Sequence, residues 1–172
     1  MLCGDTRSIV ESFLDFETLV VIGSKKALQA FYPDKHTWNW ACGDGLIDIV
    51  QWLHENKKEG CTTRAMDWAS KNGHLEVVKF LHENRREGCT TNAMDYASRN
   101  GHLNIVKWLH DNRTEGCTTY AMNDASWKGH LDIVKFLHEN RTEGCTKDAM
   151  DWASEYGYLD VVKFLHENRT ER

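Results

Sequence analysis

The chain contains a single proline, Pro33, in 172 residues. Proline breaks helix interiors, so a single proline leaves room for long helical stretches. It also lacks any basic block, and its formal net charge is only −5. Nucleic-acid binding draws on clustered Lys and Arg that displace counterions, so that class is set aside. The charge is too small to imply a specific cationic partner. No apolar run near the N-terminus exceeds Leu19-Val20-Val21-Ile22, far below the roughly 20 residues of a bilayer span. Met1 to Arg7 carries no positive region followed by an apolar run, the pattern of a signal peptide. A cytoplasmic or nuclear location without membrane association is the expectation. Cys-x-x-Cys and His-x-x-x-His spacings are missing as well, which removes the usual zinc frameworks. At 41% hydrophobic and 27% charged residues, the composition is nevertheless that of a folded domain and not of a disordered chain.

What the chain has is repetition. Gly73-His74-Leu75-Glu76-Val77-Val78-Lys79-Phe80-Leu81-His82-Glu83-Asn84 returns 28 residues later from Gly101, again from Gly129 and again from Gly157. A blurred copy runs from Gly45 to Asn56. A fixed period means one structural unit stacked on itself. Five units follow, at 33–60, 61–88, 89–116, 117–144 and 145–172, the first degenerate at its front. Residues 1–32 stand outside the period. Helical spacing of Ile9, Val10, Phe13 and Leu14 predicts a helix over 6–16, and Ser24 caps a second over 25–32 that Pro33 closes. This segment reads as an N-terminal cap over the first unit's apolar edge, or alternatively as a separate recognition segment.

Each unit has the same grammar. Cys61-Thr62-Thr63 supplies an N-cap hydroxyl for a short helix ending near Lys71, with Ala65, Met66 and Ala69 toward the core. Asn72-Gly73 stops it. A second helix runs from Leu75 to about Arg85, with Leu75, Val77, Val78 and Leu81 as its apolar stripe. Glu76 and Arg85-Arg86 suit the helix dipole at either end. One such pair cannot bury both faces alone, so the fold class is all-α, a solenoid of stacked antiparallel helix pairs. In the last unit Leu159, Val162 and Leu165 repeat the core pattern without a divergent unit after them. A monomer is expected, with end-to-end self-association or shortening of a longer array as alternatives.

The second helix resembles the ankyrin repeat. The first is less faithful: Arg64-Ala65-Met66-Asp67 and its copies at 92–95, 120–123 and 148–151 stand where that family carries Thr-Pro-Leu-His. The period is also shorter than the family's 33. The missing residues fall between Asn84 and Thr90, where ankyrin repeats place a β-hairpin finger, so a tight turn through Glu87-Gly88-Cys89 is expected instead. The resemblance implies a module that binds a protein partner without catalysis.

Eight of the histidines are periodic: His54, His82, His110, His138 and His166 in one ladder, His74, His102 and His130 in another. The first ladder reads as exposed or half-packed, the second as hydrogen-bonding between turns; a metal or catalytic role is the alternative. Cys61, Cys89, Cys117 and Cys145 also recur with the period. Equivalent atoms in stacked helices lie about 8–10 Å apart, beyond the roughly 7 Å limit between disulfide Cα atoms. All six cysteines are therefore read as reduced thiols, the column as small buried hydrophobes, with redox sensing as the alternative. No catalytic residue, cofactor or metal ligand is expected.

The units disagree at a few positions only. The first helix opens with Arg64, Asn92, Tyr120 or Asp148. Its middle carries Trp68, Tyr96, Asp124 or Trp152. The two residues before the turn glycine are Lys71-Asn72, Arg99-Asn100, Trp127-Lys128 or Glu155-Tyr156. In ankyrin-repeat proteins the pair before Gly-His lies on a concave groove, and the resemblance implies the same here. Drift at solvated sites favours small polar residues, whereas Tyr120, Trp127 and Trp152 are large and of the kind interface hot spots use. These sixteen residues are the candidate partner-binding groove. Trp52 and Trp108 replace Phe80 and Phe136 in the second helix and read as packing.

Overall fold

The computed structural model describes residues 35–57 and 60–168. The cap expected over 1–32 lies outside them. Among the described residues there are ten helices and no strand. They form five pairs: α1 (Lys35–Gly43) with α2 (Ile47–Asn56), α3 (Thr63–Lys71) with α4 (Leu75–Asn84), α5 (Asn92–Arg99) with α6 (Leu103–Asn112), α7 (Thr119–Trp127) with α8 (Leu131–Asn140), and α9 (Lys147–Glu155) with α10 (Leu159–Asn168).

From α3 onward the first helix of a pair starts where a threonine hydroxyl accepts an orphan backbone N–H. Thr62 caps Arg64 at 3.3 Å, and Thr90, Thr118 and Thr146 accept from Asn92, Tyr120 and Asp148 at 3.2 Å each. It ends in a glycine turn: the His102 N–H reaches back to the Ala97 carbonyl at 2.9 Å while Gly101 adopts φ +81°. The second helix ends differently. Its last residue is always asparagine, whose amide folds back onto the carbonyl four residues earlier. Asn84 bonds Phe80 at 2.9 Å and Asn112 bonds Trp108 at 2.8 Å. Arg85 falls just outside α4 as its C-cap. Its guanidinium does not simply face the dipole, as its place in the sequence implies, but is drawn to Glu87 at 2.5 Å in the linker. Among the described residues the linkers after α4, α6 and α8 hold no strand; they are irregular, with bends at Arg86, at Thr114-Glu115 and at Thr142-Glu143 where a tight turn through Glu87-Gly88-Cys89 and its copies is expected.

The core is two-layered. Ala65, Met66 and Ala69 of α3 and Val77, Val78 and Leu81 of α4 are buried, and the same positions are filled in the following two pairs. Each buried Leu, Val or Met contributes about 1.5–3 kcal/mol. Alanine in the first helices lets α1, α3, α5, α7 and α9 lie directly against one another, while the second helices of neighbouring pairs meet only sparsely. In the first pair Trp38 takes the place of Met66 and is fully buried, with the Arg85 guanidinium over its ring at 5.1 Å. Leu159 departs from the expected core pattern. It is 68% exposed, while Val161 and Leu165 are buried. Its counterparts Leu75, Leu103 and Leu131 are covered in part by packing against the core that Leu159 does not share.

Candidate functional site

Three ladders tie neighbouring pairs together and thereby fix the surface between them. The first is buried and polar. Asp67 is 4% exposed and accepts two hydrogen bonds from the next pair, from the Thr90 N–H and the Thr90 hydroxyl, both at 2.8 Å. Asp95 holds Thr118 in the same way at the same distances. Asparagine does this elsewhere: the Asn123 carbonyl accepts from the Thr146 N–H and its amide donates to the Thr146 hydroxyl, both at 2.9 Å, and Asn39 grips Thr62 likewise. Burial pushes the Asp67 and Asp95 carboxyls above the ordinary value, against the lowering effect of their threonine bonds.

The second ladder runs along the turns. The His102 ring covers Gly73 and its Nε2 lies 3.1 Å from the Lys71 carbonyl, while His74 covers Gly45 and His130 covers Gly101. Tyr158 takes the position over Gly129. The helix-end histidines make the third: His54, His82, His110 and His138 stand edge-on to Phe80, Trp108, Phe136 and Phe164, at centroid distances of 5.6, 5.1, 5.5 and 5.5 Å. Trp108 is thus a packing residue, as its position in the second helix implied.

The linkers are braced by ion pairs. Arg113 and Arg141 bind Glu115 and Glu143 two residues on, as Arg85 binds Glu87. Glu115 also lies 3.5 Å from the Cys89 N–H of the preceding linker. Burial first, and the nearby carboxylate second, push the Cys89 and Cys117 thiols up to about 12 and Cys61 to about 11. Cys42, Cys61, Cys89 and Cys117 are free thiols, all of them buried. Thiols so raised are poor nucleophiles, which favours the packing role over redox sensing. Among the described residues no group of three or more His, Cys, Asp or Glu is placed to hold a metal ion.

The variable positions all map to the first helices and their turns. Arg64, Trp68, Lys71, Asn72, Asn92 and Asn100 are exposed, as are Tyr120, Lys128, Glu155 and Tyr156, whereas Tyr96, Arg99, Asp124, Trp127, Asp148 and Trp152 are half-buried. Tyr120 at 62%, Tyr156 at 54% and Trp68 at 37% account for three of the four large hydrophobic side chains that stand exposed among the described residues. Two of the sixteen serve the scaffold: the Asn72 amide donates to the Gly43 carbonyl at 2.7 Å and Asn100 to the Lys71 carbonyl at 2.8 Å. Asp148 accepts the Thr146 hydroxyl at 3.0 Å.

Others gather around one indole. Trp127 has the Lys128 ammonium 3.8 Å and the Arg99 guanidinium 4.9 Å from its ring centroid. Trp152 and Tyr156 lie against it at 6.4 and 6.1 Å. Asp124 lies 4.0 Å from Arg99 and completes the cluster. Separately, Lys71 sits over the Tyr96 ring at 5.9 Å. The arrangement offers aromatic faces already held by cations, and no nucleophile with its base.

The family model for ankyrin repeats (three copies) matches residues 38–123 and again 96–171. Together with the stacked helix pairs, this match means that the chain belongs to the ankyrin repeat family. No curated protein matches it. Ankyrin repeats are in general protein–protein interaction modules and typically not enzymes. Among the described residues no helix is long and apolar enough to cross a membrane.

The buried Asp/Asn–Thr ladder, the Arg–Glu braces and the fully buried Trp38 were not anticipated. A signal existed for the first. Asp67, Asp95 and Asp151, with Asn39 and Asn123 in their place elsewhere, recur one residue after the buried methionine or its counterpart. A polar side chain fixed at that point of a buried face has to be bonded.

Proposed function

We propose that the chain is a protein-binding module without catalysis of its own: five repeats over 33–172 that present the first-helix surface to a protein partner. The carrying observation is the Trp127 cluster on that surface. Aromatic and Arg side chains concentrated there are what binding hot spots are made of, and their mutual stacking orders them before any partner arrives, which lowers the entropic cost of association. Closer packing of the first helices than of the second bends a stack toward the first-helix side, which supports a concave groove.

The test is partner capture with surface variants. Tyr120→Ala with Tyr156→Ala removes two exposed rings and is expected to abolish capture while shifting the melting temperature by no more than about 2 °C, as surface changes do. Trp127→Ala is expected to abolish capture too, with some loss of stability because its ring is half-buried. Capture unaffected by both variants rules the groove out.

A further inference from the structure

The charges of this surface are sorted along the stack. Arg64 and Lys71 on α3 and Arg99 on α5 make the second and third repeats cationic. In the fourth, Lys128 lies over Trp127 and Asp124 lies 4.0 Å from Arg99, so this repeat's own two charges offset each other. In the fifth, Asp148 and Glu155 make the surface anionic, and the flanking Lys147 and Asp151 cancel. Exposed Asp44, at the corresponding turn of the first repeat, bounds the cationic stretch on its other side. The aromatic cluster lies between the two charge regions. A surface of this kind discriminates by attraction at one end and repulsion at the other.

Resting on the groove reading above, we propose that the partner presents a short acidic–apolar segment. Two or more carboxylates lie over Arg64, Lys71 and Arg99, and one aromatic or branched aliphatic side chain packs against Trp127, Trp152 and Tyr156. Beyond that anchor the segment carries no further acid, because Asp148 and Glu155 repel it. Adjacent units stand about 8–10 Å apart and an extended chain advances about 3.3 Å per residue. The anchor therefore follows or precedes the acids by about three to six residues.

The experiment selects a displayed library of random twelve-residue peptides on the full chain. The enriched peptides are synthesised and measured by fluorescence anisotropy against wild type, Arg64→Glu with Lys71→Glu, Trp127→Ala, and Asp148→Lys with Glu155→Lys, each checked for fold by circular dichroism. Expected are peptides with paired acids at that spacing from an aromatic, Leu or Ile. Binding should weaken at least tenfold in the Arg64/Lys71 variant and in high salt, and tighten for peptides with acids beyond the anchor in the Asp148/Glu155 variant. Enriched peptides without acidic bias, lost on Trp127→Ala but indifferent to Arg64→Glu with Lys71→Glu, overturn the charge rule and leave the groove standing. Failure to enrich any peptide, or binding indifferent to Trp127→Ala as well, overturns both.

Discussion

Replacing Asp95 tests whether the buried ladder works by charge or by hydrogen bonding. The carboxylate is 5% exposed and accepts two 2.8 Å bonds from Thr118. Burial outweighs those bonds and raises its pKa, with the Asp124 carboxylate adding to the rise. A raised pKa means that the native state holds the proton more tightly than the unfolded chain, so ionised Asp95 costs stability at neutral pH, and the cost disappears as pH falls below its unfolded value. An asparagine side chain at this position would keep both bonds, as Asn123 does with Thr146, with the hydroxyl turned to accept. Asp95→Asn is therefore expected to be neutral or stabilising at pH 7, within about 1 kcal/mol, and its advantage to shrink toward pH 4. Asp95→Ala strands the Thr118 N–H and opens a gap, which costs about 1–3 kcal/mol. For a domain of this size that is a fall of about 3–10 °C in melting temperature. Thermal denaturation of the three proteins at pH 7 and pH 4 reads the difference. If Asp95→Asn proves as damaging as Asp95→Ala at pH 7, the charge itself holds the repeats together and the argument from desolvation is wrong.

Acid should loosen the turn ladder: burial lowers the His102 pKa below 6.5, and neighbouring His74 and His130 lower it further. A depressed histidine gives stability in full above its unfolded value and loses it as pH falls from there through the folded value, so denaturant midpoints should decline below about pH 6.5 and His102→Gln should flatten that decline. Gly101→Ala meets both a positive φ and the His130 ring, 2.8 Å from the added carbon, whereas Gly157→Ala meets φ +78° with nothing within 4 Å. The first should cost about 2–4 kcal/mol and the second only the left-handed strain of about 1–2 kcal/mol; equal losses in chemical denaturation would remove the ring from the explanation. Cys61, Cys89 and Cys117 should alkylate at pH 8 at least tenfold more slowly in the native protein than in urea, followed by mass spectrometry, and native labelling at the urea rate would contradict their burial.

The helix pairs were legible in the sequence because each boundary has a local cause: a threonine hydroxyl before α3, a glycine after it, an apolar stripe through Val77, Val78 and Leu81. The stacking contacts were less so. Asp67 and Thr90 are 23 residues apart, and nothing local to either signals that they meet. The turn histidines were legible as hydrogen-bonding between turns, yet that His102 lies over Gly73 of the previous unit follows only once the units are superposed in space. Variable positions were easy to find by comparing copies. Their division was not: Asn72 and Asn100 stand at a variable position yet bind backbone carbonyls, while Lys128, at the same position one unit later, joins Trp127 in the aromatic cluster.

That division explains how one short helix serves two ends. In α5, Asp95 bonds to the next repeat and is buried, while its neighbour Tyr96 is half-exposed; Ser98 is buried and Arg99 reaches the Trp127 ring. Adjacent side chains lie about 100° apart around a helix, enough to put bonding to the neighbour and display to solvent on separate faces. The fourth repeat exploits this. Its ladder residue is neutral Asn123, and the carboxylate appears one position later as Asp124, beside Arg99. Moving the charge from the buried face to a half-buried one lessens the desolvation cost to the stack, although burial still raises the Asp124 pKa, and sets a counter-charge beside Arg99. The ladder still holds through Thr146 at 2.9 Å, so surface residues are free to change while the spacing of the repeats does not.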